Sequence, residues 1–311
     1  MLICGVLICH SRTGGCLFRD DTGEDGNPRQ PGVRIMNRPL AGRSGKEGVV
    51  MKVLGLDTAT SGCSAALWDG TAGQDAGRDA RWDALWNEGA RLTVRRRPPM
   101  ARGQAEVLVP LAQEVLAEAG AGFADLDRIA VTVGPGAFTG LRIALAAARG
   151  IAVARDLPVI GITSFDAIAH GVPDAERAGR FLLVAVDSRR AEPFLQLYDA
   201  ALTPVGEPAM PDPAAIPGWL DGLYPSGPLL VAGDAVAALV PLLSGRADLA
   251  VASGDGLPDA AVVAALGAVR PTGLPAEPFY LRPPDVTLPK TAGPKSTAAN
   301  PAANPAPGAA E

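Results

Sequence analysis

The sequence predicts an α/β fold of two lobes, each a mixed sheet flanked by helices. Three observations carry that expectation. Short apolar runs bounded by Gly, Pro, Asp and Ser alternate with stretches of 3.6-residue periodicity, the pattern of strands interleaved with covering helices. A strand–turn–strand unit followed by helix, strand and helix in the first half is partly repeated in the second. The stretch Met51–Pro289 is long enough to bury a core in each lobe.

The elements follow in order. Val53–Leu56 reads as a strand, is broken by Asp57-Thr58-Ala59-Thr60-Ser61-Gly62, and resumes as Cys63–Trp68, which makes a hairpin with a hydroxyl-rich turn. Residues 71–90, with Trp82 and Trp86 four apart, read as a long hairpin tip or a short helix, and Arg91–Arg97 as a third strand. Gln104–Ala119 is an amphipathic helix on the spacing of Leu108, Leu111, Ala112, Val115 and Leu116, with Gly120 as its stop. Pro110 is tolerable in its first turn and otherwise a kink. Arg128–Val133 is a buried strand, Gly134–Gly140 a loop, and Leu141–Arg155 a second helix whose Ala144, Ala146, Ala147, Ala148 and Gly150 would let another helix approach closely. Pro158–Ile162 is a strand and Ser164–His170 starts a helix. The second unit has strands at Phe181–Asp187, Pro193–Tyr198 and Leu229–Ala232, then a helix at Ala260–Val269. The expected division is 1–50 as an extension or a mis-assigned start, 51–160 as the first lobe, 161–289 as the second, and 290–311 as a tail. Helix 260–269 is a candidate to pack back on the first lobe.

Composition sharpens this division and excludes several functions. Hydrophobic content is 48% and charged content 20%, which suits a globular chain. Cys4, Cys9 and Cys16 cluster at the front, where the spacing fits no zinc pattern, and Cys63 stands elsewhere. Residues 1–50 hold seven Lys/Arg against five Asp/Glu, so the net charge of −5 becomes −7 beyond residue 50. With no apolar period between Ser11 and Gly48, this segment reads as a disordered extension or as codons upstream of a start at Met51; Met1–Cys9 is too short and lacks the basic start of a secretory signal. Lys290–Glu311 has no Leu, Ile, Val or aromatic residue and cannot offset the cost of ordering. An acidic chain argues against gripping nucleic acid unaided, and no apolar run is long enough to span a membrane. His10 and His170 are the only histidines, which leaves little room for a histidine metal site or a Ser-His-Asp relay.

Three places can hold chemistry. The turn at Asp57-Thr58 puts a carboxylate at a strand end, able to orient a magnesium ion or phosphate, although such residues more often satisfy their own backbone. The loop with Gly134, Gly136, Thr139 and Gly140 runs from a strand into a helix, so amides and the helix dipole converge as on an anion. Its G-x-G-x-x-x-G spacing is neither the dinucleotide fingerprint nor a Walker loop. Equally, it can be a tight turn that lets helix and strand approach, with Thr139 as cap. The third place is Asp187-Ser188-Arg189-Arg190-Ala191-Glu192, a ligand loop between lobes or a solvated one. Arg95-Arg96-Arg97 reads as an exposed strand end rather than an RNA patch.

The runs MKVLGLDTATSGCSAALWDG (51–70), PPMARGQAEVLVPLAQEVLAEAG (98–120), VTVGPGAFTGLRIALAAARGIA (131–152), VIGITSFDAIA (159–169) and EPFYLRPPDVTLP (277–289) resemble the TsaB (YeaZ) family. The resemblance implies an actin-like ATPase (ribonuclease H-like) fold. It also implies a non-catalytic, cytoplasmic subunit for N6-threonylcarbamoylation of the adenosine beside the anticodon in tRNAs reading codons that begin with A. In that family TsaD transfers the group and TsaE is a small ATPase. The implied partners are therefore TsaD as a heterodimer, TsaE, and tRNA through the complex, with a homodimer left open for the chain alone and no membrane. The implied TsaD surface is Gln104, Leu108, Leu111 and Val115 on one helix with Arg142, Ala144, Leu145 and Ala148 on the next. No catalytic residue or metal ligand is implied, and ATP and Mg would sit only at the complex interface. The competing expectation is an ATP-dependent kinase or transferase using Asp57, Thr58 and the glycine loop; a peptidase would need Cys63 and His170 to meet.

Overall fold

The computed structural model describes residues 49–72, 90–97, 100, 102–272 and 276–282. The expectations for residues 1–48, for the Trp82/Trp86 stretch and for 290–311 lie outside them. The first sheet contains β1 (Val49–Asp57), β2 (Cys63–Ala72), β3 (Arg91–Arg97), β4 (Arg128–Gly134) and β5 (Val159–Thr163) in the order β3-β2-β1-β4-β5. β1 pairs antiparallel with β2, and β2 with β3; β4 pairs parallel with both β1 and β5. The second sheet contains β6 (Phe181–Val186), β7 (Phe194–Tyr198), β8 (Pro204–Ala209), β9 (Leu229–Ala232) and β10 (Leu249–Val251), ordered β10-β9-β6-β7-β8. It has the same plan of three antiparallel strands continued by two parallel ones. The partial repeat expected from the sequence is thus a full topological repeat.

Alternation sets the layers of the first sheet. Leu54, Leu56, Leu67, Ile129 and Val131 face α1 (Gln104–Glu118) and α2 (Phe138–Arg155). Val53, Trp68, Ala130, Ile160 and Ile162 face the opposite side, covered by α7 (Ala260–Val269). Period-2 strands with apolar residues on both faces require helices on both sides. α7 is apolar all round, AAVVAALGAV, and residues 260–268 are all buried, as such a helix must be. Its seat is tight: a Cβ on Gly55 would lie 2.2 Å from the Ala260 carbonyl oxygen, so glycine permits the approach.

Between the sheets lie α3 (Ser164–Gly171) and the single turn α4 (Asp174–Arg177). Phe165, Ile168 and Ala169 of α3 pack on Leu182, Val184 and Tyr198. The other face of the second sheet is closed by α5 (Ile216–Leu223) and α6 (Val236–Leu239), through Ile216, Leu220 and Leu239. Among the described residues no helix is long and apolar enough to cross a membrane.

The structure differs from expectation in particular places. α2 starts at Phe138 rather than Leu141, with Ala137 as N-cap and no side-chain cap, so Thr139 lies inside the first turn and does not cap it. Leu141 donates its amide to the Ala137 carbonyl, which closes that turn early. β8 and α5 went unanticipated because PVGEPA and IPGWLDGL carry turn residues inside them. β8 is an edge strand, where proline costs no ladder bond, and α5 holds its proline in the first turn.

Candidate functional site

The hairpin turn after β1 and the loop before α2 interlock. Thr58 Oγ1 donates to the Gly140 carbonyl at 2.7 Å, and the Ala137 amide donates to the Ala59 carbonyl at 2.7 Å. A Cβ on Gly136 would stand 2.2 Å from the Ala59 oxygen, and one on Gly140 would stand 2.0 Å from the Thr58 oxygen. Both glycines are therefore there for close packing of the two turns. Gly134 belongs to the same joint, with φ 115° and the Phe279 carbonyl 2.7 Å from where a Cβ would sit. Its neighbour Val133 accepts the Phe279 amide at 2.7 Å, which fastens the chain's late segment to the loop.

Asp57 and Thr58 are 0% exposed. Asp57 Oδ1 accepts the Ala59 amide at 3.1 Å, while Oδ2 has no well-placed hydrogen bond. Burial pushes the Asp57 carboxyl up to about 7, against the pull of Thr132 and the Ala59 amide, and Asp259 and Asp234 add repulsion. Asp234 rises chiefly through burial too, although its Oδ1 accepts the Asp187 amide at 2.7 Å. Asp57, Thr58, Gly134, Gly136 and Gly140 come together mainly as a packing joint, while Thr139 is exposed and lines the adjoining cleft. A magnesium nucleotide would need Asp57 and Thr58 to reach solvent, and both are fully buried. The residues present do not fit that group here.

The charged loop after β6 organises itself. Asp187 Oδ1 accepts the Arg189 amide at 2.7 Å and Ser188 Oγ donates to the Glu192 carbonyl at 2.6 Å. This turn holds Arg189 at φ 63°. With the glycine loop and the start of α1 it walls a cleft of about 1310 Å³. Arg102, Arg189, Arg190 and Arg282 line the cleft, with Glu106 as their carboxylate counterpart. At its rim Phe138 stacks on Tyr280, centroids 5.6 Å apart, and the Arg142 guanidinium carbon lies 3.4 Å from the Phe138 centroid. Sequence reasoning passed over Arg102, Phe138 and Tyr280. The available signal was the aromatic pair Phe279-Tyr280, beyond the last helix and followed at once by Leu281-Arg282.

The expected partner surface requires a correction. Gln104 is 9% exposed, and Leu108, Leu111, Val115, Ala144, Leu145 and Ala148 are each at or below 2%. Those apolar residues form the core under the first sheet, and Gln104 donates its side-chain amide to the Met100 carbonyl at 3.0 Å. Only Arg142 of the eight faces solvent. The surface that the resemblance implied therefore lies, apart from Arg142, on the inward face of these helices. The outward face of the same helices carries Val109, Gln113, Ala146, Gly150 and Val153, the last 87% exposed.

The other expected chemistry is quiet. Cys63 is buried in the apolar cluster with Leu54 and Leu56. His170 lies in the last turn of α3, and burial lowers its pKa to about 4, so it is neutral at physiological pH. Arg95 pairs with Glu118 across the β3–α1 edge. Among the described residues no group of three His, Cys, Asp or Glu is placed to hold a metal ion.

Residues 98–217 match the family model of TsaD, tRNA N6-adenosine threonylcarbamoyltransferase. The chain is 32% identical over 149 residues to the tRNA threonylcarbamoyladenosine biosynthesis protein TsaB of Escherichia coli K12, covering 48% of this chain and 55% of that one. Its identity to the Haemophilus influenzae protein of the same name is 32% over 144 residues, 46% of this chain and 52% of the other. The chain spans about half the length of these curated relatives. A Pseudomonas aeruginosa structure described as similar to peptidase YeaZ aligns with TM-score 0.54 and 24% identity, over 75% of this chain and all of that one. A second, YeaZ from the same organism, aligns at 0.51 and 23%, over 74% and 100%.

Proposed function

We propose, from its similarity to TsaB and YeaZ proteins, that the chain is a non-catalytic subunit of the tRNA N6-threonylcarbamoyladenosine machinery. In this proposal it pairs with TsaD, works with TsaE in the cytoplasm, and supports modification beside the anticodon in tRNAs reading codons that begin with A. The observation that carries the non-catalytic role is the interlock of the Asp57 turn with the glycine loop. Groups that would handle a phosphate in an active relative are here spent on each other and buried.

The proposed TsaD surface is the outward face of α1 and α2. Val109, Ala146 and Val153 are apolar and exposed there, and Gly150 has open space where a Cβ would be. A pair of helices with small outward residues suits close helix–helix packing with a partner. ATP and Mg, if part of the reaction, then belong to the assembled complex rather than to the glycine loop of this chain.

Reconstitution tests the proposal. TsaD, TsaE, threonylcarbamoyl-adenylate, ATP and tRNA are mixed with and without this chain, and modified adenosine is measured by mass spectrometry. Modification should require the chain. Equal modification in its absence would overturn the proposed role.

A further inference from the structure

We propose that Ser253–Pro258 is a releasable strap over a cavity between the lobes, held shut by Glu176. The inference stands on the bonding and packing of this segment and is independent of the proposed tRNA role.

The segment carries the chain from β10 of the second sheet to α7, which covers the first. Both of its ends are fixed. Before it, the Ala252 amide donates to the Val231 carbonyl at 2.9 Å. After it, Asp259 Oδ1 accepts the Ala261 amide at 2.9 Å, and Ser64 Oγ accepts the Ala260 amide at 3.1 Å. Between these anchors the hold is slight. Among the described residues, the only hydrogen bonds that join Ser253–Pro258 to the rest of the chain go to Glu176 of α4. Its Oε2 accepts the Ser253 amide at 2.8 Å, and its Oε1 accepts the Ser253 hydroxyl. A further bond, from the Leu257 amide to Asp255 Oδ1 at 3.0 Å, stays inside the segment. The Ser253 donors hold the Glu176 carboxyl below the usual carboxylate range, so both bonds end on a charge at neutral pH.

The backbone supplies a pivot and a seat. Gly254, at φ 97°, has open space where a Cβ would be, so nothing blocks its rotation. Gly256, at φ 69°, lies flat against the end of β9, where a Cβ would stand 2.5 Å from the Gly233 carbonyl oxygen. Beneath the strap is a cavity of about 400 Å³, walled by Leu92 of β3, Ile168 of α3, Val172, Val262 of α7 and the strap's own Leu257. Ile168, Val172 and Val262 are buried. Ser253, where the latch closes, is exposed. A segment bonded to the rest of the chain through one exposed serine opens locally, well before the domain unfolds. Opening it uncovers an apolar surface between the lobes.

A thiol placed beneath the strap tests this. Val262→Cys in the full chain is alkylated with iodoacetamide and read by mass spectrometry on the peptide that carries residue 262, apart from the native cysteines. Adding Glu176→Ala should speed alkylation at least about fivefold, the shift in a local equilibrium that loss of a hydrogen bond produces. Ser253→Ala keeps the amide bond and should speed it less. Gly256→Ala should also speed it, because the added Cβ lifts the strap from Gly233. The urea midpoint of Glu176→Ala should match that of wild type. Equal alkylation with and without Glu176, or faster alkylation matched by an equal loss of unfolding stability, would overturn the proposal. Hydrogen exchange of Glu176→Ala without the added thiol gives a second reading. Faster exchange should be confined to residues 252–262, and acceleration spread over the whole chain would contradict the strap.

Discussion

Asp57 shows how burial at a single residue becomes a property of the fold. Its carboxyl titrates near 3.8 in an unfolded chain and at about 7 in the folded one. The folded state therefore holds the proton more tightly, and stability must fall as pH rises from about 4 through 7. A shift of about three pKa units corresponds to at most about 4 kcal/mol over that window. Asp57→Asn keeps the shape and the bond from the Ala59 amide but cannot ionise. Urea denaturation from pH 5 to 8.5 should show the variant more stable than wild type above pH 7, with a flatter profile. A variant that is less stable at pH 8 would show that the charged form is held by something the fold supplies. Asp166 has the opposite sense. Burial raises it, but the Arg270 charge and hydrogen bond outweigh that and hold it below the usual carboxylate range. Its contribution is present at neutral pH and is lost as pH falls through that lowered value.

At the scale of elements, the glycine loop and α2 make opposite predictions for the same kind of change. Gly140→Val places atoms against the Thr58 carbonyl and should cost about 3 kcal/mol. Gly150→Ala enters open space in the middle of a helix and should stabilise by about 0.5–1 kcal/mol. Thermal denaturation of the two variants checks both signs. These elements also show what was legible in the sequence. The strands of the first sheet, α1 and α7 were visible because alternation, helical period and the AAVVAALGAV run report burial directly. β8 and α5 were hidden by the prolines and glycines they tolerate at an edge and in a first turn. The partner face was misplaced for a physical reason: the resemblance points to two helices, and the apolar residues chosen on them belong to the chain's own core under the first sheet. The cleft was half legible. Arg189 and Arg190 sat in a charged loop already noted, but Phe138 and Tyr280 lie 142 residues apart and meet only through the fold.

At the scale of the molecule, the two sheets are tied by a polar cluster where helices cross between them. Arg270, just past α7, pairs with Asp166 of α3 at 2.6 Å, and Tyr198 of β7 donates its hydroxyl to the other Asp166 oxygen at 2.8 Å. Arg270→Met leaves a largely buried carboxylate beside Tyr198 and should cost about 3 kcal/mol; adding Asp166→Asn should restore part of it. If the single and double variants unfold alike, the tie is not what joins the lobes. The central claim is that the outward face of α1 and α2 docks this chain to TsaD. Titration calorimetry of the chain with TsaD tests it most directly, using Val153→Arg against wild type and unfolding temperature as the control. The account predicts that Val153→Arg, at a residue 87% exposed, weakens association at least about a hundredfold with an unchanged unfolding temperature. Equal affinity of the variant and wild type would contradict it.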